Sequence, residues 1–181
     1  MARIIPLPDQ GSESALSDRT APYDIFSQNA KATLGYSQPA LNAYRQWYPL
    51  YEEIEKNIGS RKAYLFGFAI CSTIGCSLCT AFFRKLIIEG GEDPEKLRLE
   101  GVEKLLFDFG SSIARYQGNI ADHVYNQAAD VFSKKDLVLL AAFAGQVIAA
   151  NIFNNVVETD VDEGLSPYLP PVSSIWKMQT V

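Results

Sequence analysis

Three cysteines crowd one short stretch of the chain. Cys71, Cys76 and Cys79 have the spacing C-x4-C-x2-C. That spacing is the first part of a plant-type iron–sulfur ligand set. A cluster needs a fourth ligand, however, and the chain has no fourth cysteine. Its single histidine, His123, would have to serve from a separate helix. Structural zinc fails on the same count, because only one CxxC is present. No metal and no cofactor are therefore expected. The remaining chemistry is a redox pair, Cys76-Ser77-Leu78-Cys79. A cysteine that opens a helix faces unpaired backbone N–H groups and the positive end of the dipole. Both favour the thiolate, the reactive form. The i, i+3 spacing puts both sulfurs on one face, within reach of a disulfide. The competing reading is three small buried hydrophobes in an apolar helix pair. Cys71, at the end of an apolar run, reads as plain core.

Two further side chains can do acid–base or anion chemistry. His123 follows Asp122 near a helix start and titrates near neutrality, so it is a candidate general base. The alternative is an exposed surface imidazole. Arg84 follows the first turns of the cysteine helix and can bind a carboxylate or assist a thiolate. The alternative is an ion pair at a surface or interface. One histidine excludes the common catalytic zinc sites, which need two or three.

The elements that must position these residues belong to one domain, since 181 residues fit a single core. With 48% apolar residues the chain is not a disordered one. Its net charge is −5 and no basic stripe is visible, so nucleic acid is not an expected partner. The odd cysteine count is a poor disulfide framework. Pro6 and Pro8 interrupt the apolar residues after Arg3, so no signal peptide is read and a cytoplasmic location is expected.

Ala63–Phe83 and Leu137–Val157 are uncharged runs of 21 residues, long enough to cross a bilayer. The first contains Gly67, Ser72, Thr73 and Gly75, and the second Gln146, Asn151, Asn154 and Asn155. Basic pairs flank the first run on both sides, without positive-inside asymmetry. Both are expected to be buried helices, apolar nearly all round, and no membrane partner is expected.

The fold class is all-α, without a strand ladder or repeat. A polar arm covers 1–20, the helical domain 21–157 and a tail 158–181. Helices are expected over Tyr23–Thr33, and from Ser37 through Leu41, Tyr44, Tyr48 and Tyr51. Others follow over Ser60–Cys71 and Cys76–Glu89, the last ended by Gly90-Gly91. Asp93-Pro94 reads as an N-cap and N1 proline opening the next helix. Ile120–Phe132 is the sixth, and Ser133-x-x-Asp136 caps a long final helix to about Asn155. The tail holds Tyr168, Leu169, Ile175 and Trp176, and is expected to pack on a neighbouring subunit.

The block Arg61-Lys62-Ala63-Tyr64, the run Cys76-Ser77-Leu78-Cys79-Thr80-Ala81-Phe82-Phe83 and the following Gly90-Gly91 resemble the alkylhydroperoxidase D / carboxymuconolactone decarboxylase superfamily. Phe26–Leu50 is similar to that family's leading helices, and Asp122–Asn155 to its closing region. The resemblance covers about residues 22–158. It implies a helical subunit that associates as trimers or multiples of them. It also implies peroxide reduction, in which a glutamate and a histidine relay a proton so that the second cysteine can attack. Tyr64 and Phe83 stand at those two positions here. Cys76 and Cys79 carry over; the relay does not. Tyr64 can replace the carboxylate only as a proton donor at neutral pH, since a phenol titrates near 10.

These readings define a thiol-dependent oxidoreductase that uses Cys76 and Cys79, reducing peroxide or a disulfide at the expense of a dithiol partner. The alternative is a non-redox enzyme acting on a small organic acid or lactone, by decarboxylation, isomerisation or ring closure. Tyr64, Arg84 and His123 would then carry the proton work. A second alternative is a non-catalytic oligomeric binding protein.

Overall fold

The structure, a computed structural model, describes residues 2–8 and 27–171. Every regular element among them is helical. The α-helices are α1 Gln28–Leu34, α2 Gln38–Arg45, α3 Tyr48–Ile58, α4 Ser60–Ile74, α5 Ser77–Glu89, α6 Gly101–Arg115, α7 Asp122–Ala129 and α8 Lys134–Val157. A 3-10 helix, Glu163–Tyr168, follows.

α4 is the central helix and packs on α3, α5, α6 and α8. Its apolar circumference explains this place: Leu65, Phe66 and Ile70 have no exposed surface. Phe66 stacks between Phe109 of α6 and Phe143 of α8, with ring centroids 6.3 Å apart in each case. Phe83 of α5 presses directly on Gly67, where an added Cβ would lie 2.2 Å from the ring. No side chain fits there, so Gly67 sets how closely α4 and α5 approach.

The expected helix from Ser37 through Tyr51 is two helices. Pro49 lacks an N–H, and its ring opposes the carbonyl of Arg45, where α2 ends. Asp93-Pro94 opens a turn and not a helix. Asp93 accepts the Glu95 N–H on its side chain at 3.0 Å and the Lys96 N–H on its carbonyl at 2.9 Å. The chain then runs extended to Gly101. Arg61 gives the reason. Its guanidinium makes two 2.7 Å bonds to Glu92 and also pairs with Glu103. A continuous helix would separate those carboxylates by about 16 Å. At Ser133 the capping box forms as expected, with Asp136 in the acidic position.

The described segments before α1 and after α8 lie against their own chain. The expected arm begins with Arg3 bound to the end of α8, its N–H 2.9 Å from the Val157 carbonyl and its side chain 3.0 Å from that of Val156. After α8, Asp162 turns back to accept the Gln28 and Asn29 N–H groups at the start of α1, at 3.0 and 2.9 Å. Leu165 and Tyr168 pack on Leu78 and Ala81 of α5. Tyr168, expected on a neighbouring subunit, is partly buried against α5 of its own chain, and Leu169 stays exposed. Ile175, Trp176 and Tyr23 lie outside the described residues.

The two uncharged runs differ. The first folds as α4 and α5, largely buried as expected. The second, in α8, is long and apolar enough to cross a membrane, and only 33% of its apolar window is buried. Val138, Ile152 and Val156 are more than half exposed.

Candidate functional site

The thiol cluster is built where α4 turns into α5. Gly75 adopts the left-handed conformation, φ 81°, which reverses the chain, and its N–H closes α4 on the Cys71 carbonyl at 2.9 Å. Cys76 is then the N-cap of α5, and its Sγ accepts the Cys79 N–H at 3.4 Å. The two cysteines thus open a helix, as the spacing predicts.

Cys71 is fully buried in the core, as its apolar run predicts, and its Sγ also accepts a hydrogen bond from α8. All three are free thiols. Two amides of α8 complete the cluster. Asn154 Nδ2 donates to Cys79 Sγ at 3.3 Å, and Asn151 Nδ2 to Cys71 Sγ at 3.3 Å. Each amide is held in that sense. Thr159 donates to Asn154 Oδ1 at 2.9 Å, and Asn151 Nδ2 also donates to the Val147 carbonyl at 2.7 Å.

The helix terminus does not win the contest over thiolate formation. The neighbouring thiol of Cys79, with burial, pushes Cys76 far above the ordinary thiol value of 9.0, against the backbone N–H groups of Cys79 and Leu78. Cys79 is also raised, first by the Cys71 thiol and then by burial, while Cys76 and Asn154 pull the other way. Both shifts favour the neutral thiol, through the neighbouring thiol first and then through burial, which removes the water that would solvate a charged sulfur.

Cys79 and Cys71 line a pocket between the α1 start, α3, α4, α5, α8 and the 3-10 helix. Trp47, Tyr51, Phe82, Phe83, Phe143 and Leu165 form much of its wall. Cys76 is 1% exposed and does not line it. Among the described residues none that lines it is charged. Gln146 Oε1 and Asn151 Oδ1, both on lining residues, are buried acceptors without a partner. A ligand hydroxyl can satisfy either one. Tyr44 stands close behind the pocket, its hydroxyl 3.2 Å from the Ala149 carbonyl. Its pKa is pushed up to about 12 by burial, with a further push from Cys79. Among the described residues no group of three His, Cys, Asp or Glu is arranged to hold a metal ion, the three thiols included.

Of the other candidates, none lines this pocket. The Tyr64 hydroxyl lies against the Gly90 turn, beside the charges of Arg61, Glu92 and Glu103. Arg84 is buried, but it is used structurally: it bonds the Tyr168 carbonyl at 2.8 Å and pairs with Glu95, holding the 3-10 helix on α5. His123 is exposed in the first turn of α7. Phe83, at the position where the resemblance places a histidine, does face the pocket.

Asn151, Asn154, Gln146 and the role of Cys71 are the residues that spacing alone did not reveal. The signal for the amides was present: a buried amide in an otherwise apolar helix demands a partner. No protein-family model matches the chain, and no curated protein matches it.

Proposed function

We propose that this chain is a thiol-dependent oxidoreductase of the alkylhydroperoxidase D-like type, in which Cys79 is the attacking group. The observation that carries this reading is a half-buried cysteine on an apolar pocket that Cys71 also lines, its Sγ accepting from the Asn154 amide. The Cys79 thiolate attacks the terminal oxygen of a hydroperoxide. The O–O bond breaks, the departing oxygen takes a proton and leaves as an alcohol, and Cys79 becomes a sulfenic acid. A second thiol attacks that sulfur, an S–S bond forms and water leaves. A dithiol reductant then returns both cysteines to thiols by exchange. Cys76 is the first candidate for the second thiol, by its CxxC spacing.

The pocket favours this over proton chemistry on a small acid or lactone. That alternative needs Tyr64, Arg84 or His123 beside the ligand, and none lines the cavity. Peroxide consumption with a dithiol donor, measured beside Cys79→Ser, tests the reading. Wild type should turn over, and the variant should lose at least 100-fold. Equal rates in the two would overturn it.

We also propose that the subunits associate, as a trimer or a multiple of three. The outward face of α8 supports association, because Val138, Ile152 and Val156 leave apolar surface in water. Light scattering should give a mass well above 20.0 kDa. A monomer mass at micromolar concentration would refute association.

A further inference from the structure

We infer that Cys71 is an alternative resolving thiol, so that Cys79 closes a disulfide with either Cys76 or Cys71, the latter on the pocket side. This rests on the thiol-oxidoreductase reading for its role in turnover, though not for its chemistry. Three observations carry it. Cys71 Sγ and Cys79 Sγ accept from two amides three residues apart on α8, Asn151 and Asn154. Cys71 and Cys79 share the pocket lining, whereas Cys76 lies outside it. Asn151 is a fully buried amide whose Nδ2 is fixed by the Val147 carbonyl and aimed at Cys71 Sγ. A buried core cysteine needs no such donor. An N–H donor stabilises the charged sulfur that thiol–disulfide chemistry requires.

Two routes lead to the same bridge. Cys71 can attack the sulfenic acid of Cys79, forming S–S and releasing water. It can also attack Cys79 within a Cys76–Cys79 disulfide, in which case the new S–S bond replaces the old one and Cys76 leaves as a thiolate that takes up a proton. Neither route needs an oxidant beyond the hydroperoxide already named. The consequence is placement: a Cys76–Cys79 bridge has one sulfur off the pocket lining, whereas a Cys71–Cys79 bridge has both residues on it.

The test uses full-length protein and diamide, a reagent that oxidises dithiols without peroxide. Intact mass reports the two hydrogens lost on bridging. Cys76→Ser should still close a bridge; its serine keeps an N-cap oxygen, so α5 retains its cap. Cys79→Ser should close none. A folded Cys76→Ser that keeps both thiols, while Cys71→Ser bridges, would overturn the inference. The wild type supplies a second reading that needs no variant. After oxidation, alkylation and cleavage at Leu78, fragmentation should find the label on Cys76 in at least a tenth of the molecules. A label confined to Cys71 would refute the idea. Because diamide replaces the substrate, a protein that forms the Cys71–Cys79 bridge but ignores hydroperoxides would overturn the peroxidase reading and leave this one standing.

Discussion

Replacing Asn154 with leucine should slow alkylation of Cys79 by iodoacetamide about 10- to 100-fold at pH 7. A hydrogen bond to a charged group contributes about 1.5–3 kcal/mol, and each 1.4 kcal/mol is about tenfold. Asn154 gives Cys79 its side-chain N–H donor, at 3.3 Å, and that bond favours the thiolate. Leucine is close to asparagine in size and suits a helix that is otherwise apolar, so α8 should persist; circular dichroism checks this. Asn151→Leu is the comparison. Its amide serves Cys71, so its effect on Cys79 should be several-fold smaller. Equal rates for wild type and Asn154→Leu would mean that the amide does not act on the reacting sulfur.

Reactivity should climb about tenfold for each pH unit between 7 and 9, with no plateau. The sign follows from the direction of the shifts. Cys79 and Cys76 are both raised above the ordinary thiol value of 9.0. Below its pKa a thiol's ionised fraction grows tenfold per unit, so the rise continues through the whole range. Stability should show the mirror effect. The folded state holds these protons more tightly than the unfolded chain does. The stability from keeping them neutral is complete below the unfolded value and is lost progressively as pH rises above it. Stopped-flow alkylation and chemical denaturation from pH 7 to 10 measure the two arms. A plateau below pH 8 would show that the helix terminus outweighs burial after all.

The slope also bears on the relay. Among the described residues no charged group lines the pocket, and none of those that line it can take the Cys79 proton at neutral pH. Tyr64 lies beside Gly90, and restoring a carboxylate at that position would add charge near Glu92 and Glu103 instead. Position 83 is different, because Phe83 is on the pocket wall. Its ring is also locked against Gly67, so a smaller ring there would leave a gap between α4 and α5.

The all-α class, the long α8, its capping box and the helix opening at Cys76 were legible in the sequence. Each depends on contacts within one turn: an N-cap oxygen or sulfur, a left-handed glycine, an uninterrupted apolar run. The Asp93-Pro94 signal misled because the same residues cap a turn as readily as a helix, and only Arg61 on a distant helix decides between them. Pro49 should have divided the second helix on local grounds alone, since its ring conflicts with the carbonyl four residues back.

The site followed the same division. Spacing along one helix determined that Cys76 and Cys79 lie together, because i and i+3 share a face. Spacing could not show that Cys71, on another helix, lines the same pocket, nor that Asn151 and Asn154 arrive from 75 to 80 residues away. Those contacts depend on how α8 crosses α4 and α5, which is set by packing at Phe66, Phe143 and Gly67. The tertiary structure likewise decided the thiol charge. A helix terminus is visible in a sequence, but the burial that overrides it exists only once the chain has folded around the sulfur.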